Sequence, residues 1–163
     1  MRSFVLSGLA AVLLLPAALS AQTASYTFFG PSCTTRNVHF KVFGTPRIGQ
    51  SFQIEAPAVF SRGDFAGGAW ITTGPTRLSR PLDISVLTRP GHSFCGFLLT
   101  SISILHPTPY VWSGGNVKVT YPVPNDRSLL GLRFYQQVLG WEWKHNQGYR
   151  YTLSRGGHGV IGT

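Results

Sequence analysis

The sequence is poor in acidic residues. The 163-residue chain has five Asp and Glu residues against 14 Lys and Arg residues. Glycoside hydrolysis needs two carboxylates placed together, and a calcium site needs several oxygen-rich acidic side chains in one loop. The five acidic residues are far apart along the chain and none belongs to such a motif, which argues against both kinds of site. They are Glu55, Asp64, Asp83, Asp126 and Glu142.

Motifs of metal, redox and hydrolase chemistry are also missing. The five histidines show no HxH or HExxH spacing, and the two cysteines form no CxxC pair. Residues 91–95, GHSFC, begin like a GxSxG nucleophile motif, but Cys95 replaces its last glycine and no helical pattern follows. The sequence therefore predicts no catalytic residue, no metal ligand and no cofactor.

Only one long apolar run occurs, and it lies at the beginning of the chain. Arg2 precedes the run, Pro16 ends it, and small residues follow up to Ala21. This order is typical of a signal peptide, and we expect residues 1–21 to be removed and residues 22–163 to form one domain. No later run is long enough to span a membrane. The mature chain would have a net charge near +8, since Arg2 is one of the 14 basic residues and five are acidic.

The two cysteines, Cys33 and Cys95, remain in this exported domain. Export to an oxidising compartment favours a structural disulfide between them. Such a bond would restrict the unfolded chain by roughly 4 kcal/mol in the chain-entropy description.

Alternation of apolar and polar residues recurs along the mature chain, without a competing helical period. It is clearest in residues 38–42, 52–56 and 117–121, and Gly- and Pro-rich segments separate such runs. From Phe97 to Leu105 the apolar side changes near Thr100-Ser101, which indicates a bulge or a strand that passes between sheets. We expect an all-β, antiparallel β-sandwich, jelly-roll- or Ig-like, of about eight or nine short strands with one disulfide.

The stretch from Tyr121 to Leu153 predicts local structure in most detail. Asn125-Asp126 is expected to cap one helical turn that Gly131 ends, and Gly140 suggests a bulge in the strand that follows. Residues 144–148 have the length of a hairpin loop. The expected register pairs Trp143 with Tyr149, Trp141 with Tyr151, Leu139 with Leu153, and Glu142 with Arg150.

This hairpin has two interpretations. Its aromatic residues could form a platform for sugar rings or an acidic polymer, beside the basic residues that cluster late in the chain. Alternatively the aromatics belong to the core and the Glu142–Arg150 pair to the wet face, and the register favours this second interpretation. The candidate binding residues are Trp141, Trp143, Lys144, His145 and Arg155.

Several short motifs give the mature chain a family resemblance. They are residues 30–33 (GPSC), 46–49 (PRIG), 81–84 (PLDI), 123–131 (VPNDRSLLG), 134–137 (FYQQ) and 154–162 (SRGGHGVIG). In this order they resemble an uncharacterised family of small secreted proteins and C-terminal modules of planctomycete-type bacteria. The resemblance implies a β-sandwich with one disulfide and implies no activity. The strong basic charge and the Trp141–Lys144 sequence WEWK depart from that pattern.

The hypothesis from the sequence is an exported, non-enzymatic β-sandwich that acts as an extracellular or cell-surface structural or interaction module. The alternatives are a carbohydrate- or polyanion-binding domain and a hydrolase whose site is not recognised. The expected partner is an acidic polysaccharide or another surface protein, and export argues against nucleic acid.

Overall fold

A computed structural model describes residues 22–33, 40–57, 65–85, 93–107, 116–144 and 148–163. The predicted signal peptide and His39, Asp64, His92 and His145 lie outside these ranges. The described residues form twelve strands and one short 3-10 helix, Arg127–Leu129. The strands are β1 Ser25–Phe29, β2 Lys41–Phe43, β3 Ser51–Pro57, β4 Phe65–Gly74, β5 Arg77–Leu82, β6 Ser93–Cys95, β7 Leu98–Thr100, β8 Ile104–Pro107, β9 Asn116–Pro122, β10 Arg133–Lys144, β11 Gly148–Leu153 and β12 Gly156–Val160.

The strands form a large sheet, a small sheet and a two-stranded sheet. In the large sheet β10 is the central strand. One edge of β10 pairs with β4, which in turn pairs with β8. The other edge of β10 pairs with β12 along one part and with β11 along another; β1 pairs with β12, and β6 pairs with β11. The small sheet has the order β2-β3-β9, and β5 pairs with β7. The fold is all-β and sandwich-like, as the alternating sequence predicts, and β6 pairs with β11 in parallel.

The large and small sheets pack face to face around one apolar core. The large sheet contributes Ala69, Ile71 and Val138, and the small sheet contributes Phe52, Ile54 and Ala56. In β3 the core residues Phe52 and Ile54 alternate with the more exposed Ser51 and Gln53, so the period-two pattern of the sequence selects the buried face there. Tyr26, Phe28 and Phe134 add aromatic rings to the same core.

Near Thr100-Ser101, where the apolar side changes, one strand ends and the chain passes to a different sheet. Leu98–Thr100 pairs with β5 in the two-stranded sheet, whereas Ile104–Pro107 pairs with β4 in the large sheet. The predicted disulfide is also present, between Cys33 and Cys95. Beside it, the Cys33 backbone N–H donates to the Leu153 carbonyl at 3.1 Å.

The helical turn is capped as expected. The Asp126 carboxylate accepts from the Ser128 N–H at 2.8 Å, and Gly131 follows the turn with a φ of 79°. The bulge expected at Gly140 is wrong. The register of β10 runs without interruption past Gly140 against both β4 and β11. The apolar side changes there because β10 is buried on both faces around Gln137 and Val138.

Several motifs behind the family resemblance meet at one end of the sandwich. The Ile48 N–H donates to the Gly162 carbonyl at 3.0 Å, and the Gly49 N–H donates to the Val123 carbonyl at 3.0 Å. The Gly131 N–H donates to the Ile161 carbonyl at 2.8 Å. These segments therefore hold the end of the fold together through backbone hydrogen bonds.

Candidate functional site

The register expected for the late hairpin is confirmed. Trp143 lies opposite Tyr149, Trp141 opposite Tyr151, Leu139 opposite Leu153, and Glu142 opposite Arg150. The Arg150 Nη1 lies 4.0 Å from the Glu142 Oε2. The cross-strand aromatic and charged pairs thus set the register together.

The expected burial of the two faces is wrong at the end of this hairpin. Glu142 is 1 % exposed, whereas Trp143 and Tyr149 are each 38 % exposed. The side chains of Val138 and Glu142 lie on the same face of β10, the one that the small sheet covers near Val138. The opposite face carries Trp141 and Trp143. The expected burial is wrong because distant strands determine which face is covered, and local alternation does not reveal those strands.

The face with the tryptophans is covered at one end by the segment that leads into β7. The Leu99 N–H donates to the Gln137 Oε1 at 2.9 Å, and the Gln137 Nε2 donates to the Phe97 carbonyl at 2.8 Å. Leu99 and Leu153 are buried there. Beyond Leu139, towards the hairpin end, the same face carries half-exposed and exposed aromatic rings.

We call these rings the aromatic face. Trp70 stacks on Trp141 with ring centroids 5.8 Å apart, and Trp141 contacts Tyr149 at 6.1 Å. Tyr149 stacks on Tyr151 at 6.2 Å, and Tyr151 on Phe94 at 6.5 Å. Cross-strand pairing thus joins strands β4, β6, β10 and β11 in one aromatic surface. Its members are Trp70, Phe94, Trp141, Trp143, Tyr149 and Tyr151.

Gly68 of β4 makes room for the Trp141 indole. Gly68 lies opposite Trp141 and Ala66 opposite Trp143. A Cβ added at Gly68 would lie 3.0 Å from the Trp141 Nε1, which is closer than an ordinary contact. The Trp141 ring therefore lies across the backbone of β4, held close to the sheet. The sequence predicts that Gly67-Gly68 separates two strands, and this prediction is wrong because both glycines lie inside β4.

The Glu142–Arg150 pair lies on the side of the hairpin opposite the aromatic face. Arg150 alternates with Tyr149 and Tyr151, so its side chain projects from the other side of β11, where it meets Glu142. Its Nε donates to the Ser93 Oγ at 3.3 Å. The Glu142–Arg150 pair and the aromatic residues of the hairpin therefore occupy different faces of the large sheet.

The structure brings together only part of the predicted site. Trp141 and Trp143 belong to the aromatic face, Lys144 ends β10, and His145 lies outside the described residues. Arg155 is separate: its guanidinium lies 4.0 Å over the Phe28 ring. Six residues of extended chain separate Arg155 from Tyr149, about 20 Å at the rise of a strand.

Two members of the aromatic face, Trp70 and Phe94, were not among the candidate residues. Trp70 belongs to the aromatic face because β4 pairs with β10, and Phe94 because β6 pairs with β11. The alternation of Ala66, Gly68 and Trp70 is the local signal that could have suggested a strand with one large ring on that side.

The described carboxylates have separate structural roles. Glu55 accepts from the Asn116 Nδ2 at 2.5 Å and lies 3.4 Å from the Lys118 Nζ. Hydrogen bonds from the side chain and backbone of Ser85 lower the pKa of Asp83, and those from Ser128 lower the pKa of Asp126. A carboxyl group with a lowered pKa is ionised at neutral pH and does not serve as a general acid.

Within the ranges that the structure describes, no three His, Cys, Asp or Glu side chains are grouped to hold a metal ion. His158 stacks on Tyr135 with ring centroids 4.8 Å apart. Burial, and next the charge of Arg133, lower the pKa of His158. No helix among the described residues is long and apolar enough to cross a membrane.

Scans against protein-family models, curated proteins and solved structures gave no match for this chain. The aromatic face is the feature of the described residues that indicates a function. Six aromatic side chains lie on one part of a β-sheet, where Trp143 and Tyr149 are exposed and the other four rings are half-buried, and the described carboxylates occupy other places in the fold.

Proposed function

We propose that this protein is an exported, non-enzymatic binding module whose aromatic face binds the sugar rings of a polysaccharide. One observation carries the proposal: stacked Trp and Tyr rings from β4, β10 and β11 lie side by side on a part of the sheet where Trp143 and Tyr149 remain exposed.

The chemistry of these side chains suits a sugar chain. A pyranose ring presents an apolar C–H surface that packs flat against an aromatic ring, while its hydroxyl groups stay at the edge. Trp and Tyr offer the same combination of an apolar body and a polar tip. A contiguous exposed apolar patch on a folded domain commonly marks a binding surface.

The shape of the surface also favours a polymer over a small ligand. The rings follow the hairpin strands from the uncovered end of β10 towards Phe94, across neighbouring strands of one sheet. Such a surface lies open along its length, unlike the concave pockets that enclose small molecules. An extended chain of sugars could contact several rings at once and gain affinity from each.

The predicted export and the disulfide support an extracellular ligand, since disulfides persist in oxidising compartments. We also propose that the chain belongs to the planctomycete-type family of secreted proteins that its motifs resemble. Membership is consistent with the disulfide-linked sandwich, but it does not identify a ligand.

Binding of polysaccharides to Trp141→Ala, Trp143→Ala and the wild type tests the proposal. Stacking on one aromatic ring contributes about 1–3 kcal/mol for nucleic-acid bases, and we expect a loss of the same order for each tryptophan. Affinity electrophoresis against a panel of neutral and acidic polysaccharides, followed by calorimetry, would measure it.

The matched control is Phe43→Ala, which removes an exposed aromatic ring from the small sheet. We expect this variant to bind as the wild type does. Gly68→Val is a second probe, because its side chain would displace the Trp141 indole without removing it. Equal binding by the wild type and both tryptophan variants would refute the proposal.

A further inference from the structure

A second cluster lies on the same face of the large sheet, at the opposite end of β10. We call it the arginine–aromatic cluster: Phe29 of β1, Arg77 of β5, Arg133 and Tyr135 of β10, and His158 of β12. Tyr135 lies opposite His158, and Thr27 lies opposite His158 from the other side. Strand pairing therefore brings together the residues of β1, β10 and β12, and Arg77 joins them from the two-stranded sheet by lying over the Phe29 ring.

The rings of the cluster form a continuous series. The Arg77 guanidinium carbon lies 4.5 Å above the centre of the Phe29 ring. Phe29 contacts Tyr135 edge to face with centroids 6.0 Å apart, and Tyr135 stacks on His158 at 4.8 Å. Arg133 lies two residues before Tyr135, on the same side of β10, and its charge acts on His158. The rings thus lie between two arginines.

Gly156 of β12 leaves space on this face of the sheet for an aromatic ring. Gly156 lies opposite Phe29, and a Cβ at Gly156 would clash with the Phe29 ring. His158 has glycines on both sides, Gly157 and Gly159, so it supplies the one side chain at the centre of β12. The Phe29 ring can therefore lie across β12.

The cluster is positively charged and lacks a carboxylate. In the part of the chain that the structure describes, neither Arg77 nor Arg133 forms an ion pair, and both side chains are exposed. The described acidic side chains have other contacts: Glu55 with Lys118, Glu142 with Arg150, Asp83 with Ser85 and Asp126 with Ser128.

A guanidinium that packs on a ring keeps its N–H groups at the edge, where they can bind two oxygens of a carboxylate or of a tetrahedral oxyanion in a bidentate manner. The ring also restricts the arginine side chain before a ligand arrives, which lowers the entropy lost on binding. Arg77 on Phe29 has this arrangement. Arg133, at the other end of the series, adds a second positive charge.

From this geometry we propose that the arginine–aromatic cluster binds the acidic groups of a polysaccharide, its carboxylates or sulfate esters, through Arg77 and Arg133. That the anion is carried by a polysaccharide rests on the proposed function. The cluster is a different subsite from the aromatic face: Arg133 and Trp141 are eight residues apart on β10, about 27 Å at the rise of a strand. The segment that contacts Gln137 lies between them.

The test compares two double variants of equal net charge. Arg77→Gln/Arg133→Gln removes both guanidiniums of the cluster, and Arg47→Gln/Arg127→Gln removes two exposed arginines elsewhere. Calorimetry would measure binding to heparin, which carries sulfate esters and carboxylates, to polygalacturonate, which carries carboxylates alone, and to a neutral β-glucan.

We expect the cluster variant to lose about tenfold or more in affinity for an acidic polysaccharide, with a smaller dependence on salt, because two direct charge contacts are lost. The control variant should lose much less. Loss for heparin alone identifies sulfate as the bound group, and loss for both identifies the carboxylate. Either pattern supports the subsite.

Equal losses in the two double variants would overturn the proposal, since they indicate attraction by net charge alone. It would also fail if the wild type bound neither acidic polymer, or if the cluster variant bound both with unchanged affinity. Trp143→Ala separates this failure from that of the proposed function. If Trp143→Ala weakens binding while the cluster variant does not, the aromatic face binds polysaccharide and the arginine subsite is wrong.

Discussion

Glu142 and Trp143 are consecutive residues of β10 in opposite environments: the carboxylate is buried and the indole is exposed. The alternation of a strand places them on opposite faces, and the end of this hairpin inverts the usual distribution of polar and apolar side chains. A buried charge requires partners, and an exposed indole stabilises the fold less than a buried one would. An exposed indole remains available to contact a ligand, so this inverted distribution is consistent with a binding surface.

The Glu142–Arg150 pair should show a measurable coupling. In a double-mutant cycle with Glu142→Gln and Arg150→Ala, we expect a coupling free energy of about 1 kcal/mol, because the carboxylate is buried while the guanidinium is partly exposed. Urea denaturation of the four proteins measures it. Strictly additive effects of the two substitutions would show that the contact adds nothing to stability.

Core packing should distinguish two isoleucines. Ile71 is 0 % exposed between the large and small sheets, whereas Ile104 in β8 is 52 % exposed. We expect Ile71→Ala to lower the free energy of unfolding by about 2–5 kcal/mol, and Ile104→Ala to change it far less. Chemical denaturation of both variants provides the comparison. Similar losses would contradict the placement of the core.

Alkaline pH should destabilise the protein through two tyrosines. Burial raises the pKa of Tyr26 and of Tyr121, and Tyr26 donates to the Gln136 Oε1 at 2.9 Å. Above pH of about 10 the unfolded phenols ionise while the folded ones keep their protons, so stability is complete below that pH and falls as pH rises. Tyr26→Phe should flatten this decline, and the double variant with Tyr121→Phe should flatten it further.

Denaturation curves from pH 8 to 11 measure the alkaline effect. Tyr26→Phe also loses its hydrogen bond to Gln136, so we expect a constant loss of about 1 kcal/mol at neutral pH. The slope against pH, and not the absolute stability, therefore tests the ionisation. A double variant with the wild-type slope would disprove it.

Loss of the disulfide should destabilise the chain without removing its sheet pairings. The bond joins residues that are 62 positions apart, and its removal in Cys33→Ala/Cys95→Ala should cost roughly 4 kcal/mol. Thermal and chemical denaturation would measure the cost against the oxidised wild type. A chain whose stability does not change on reduction would contradict it.

Local features of this protein could be predicted from its sequence. The hairpin register followed from the cross-strand pairs, the capped turn from Asp126 and Gly131, and the disulfide from the two cysteines of a chain predicted to be exported. In each case the residues that determine the feature are neighbours in the sequence or have one possible partner.

Features that depend on pairing between strands distant in the sequence could not be predicted. The aromatic face depends on the alignment of β4 and β6 with the hairpin, and no local pattern specifies that Trp70 stacks on Trp141. Gly140 suggested a bulge because a glycine coincides with a change of apolar side. The true cause is a strand covered on both faces near Gln137 and Val138, which only the assembled sheets reveal.

The glycines of β12 constrain how this sequence can change. Gly156 and Gly159 leave the volume that the Phe29 and Phe134 rings occupy, so a methyl group at either glycine would clash with its ring. A smaller side chain at Phe29 would leave a void unless Gly156 grew with it. A substitution at one position of such a pair should destabilise the fold, whereas matched substitutions at both positions should be tolerated. The stability of the intermediate single variant therefore depends on which of the two positions changes first.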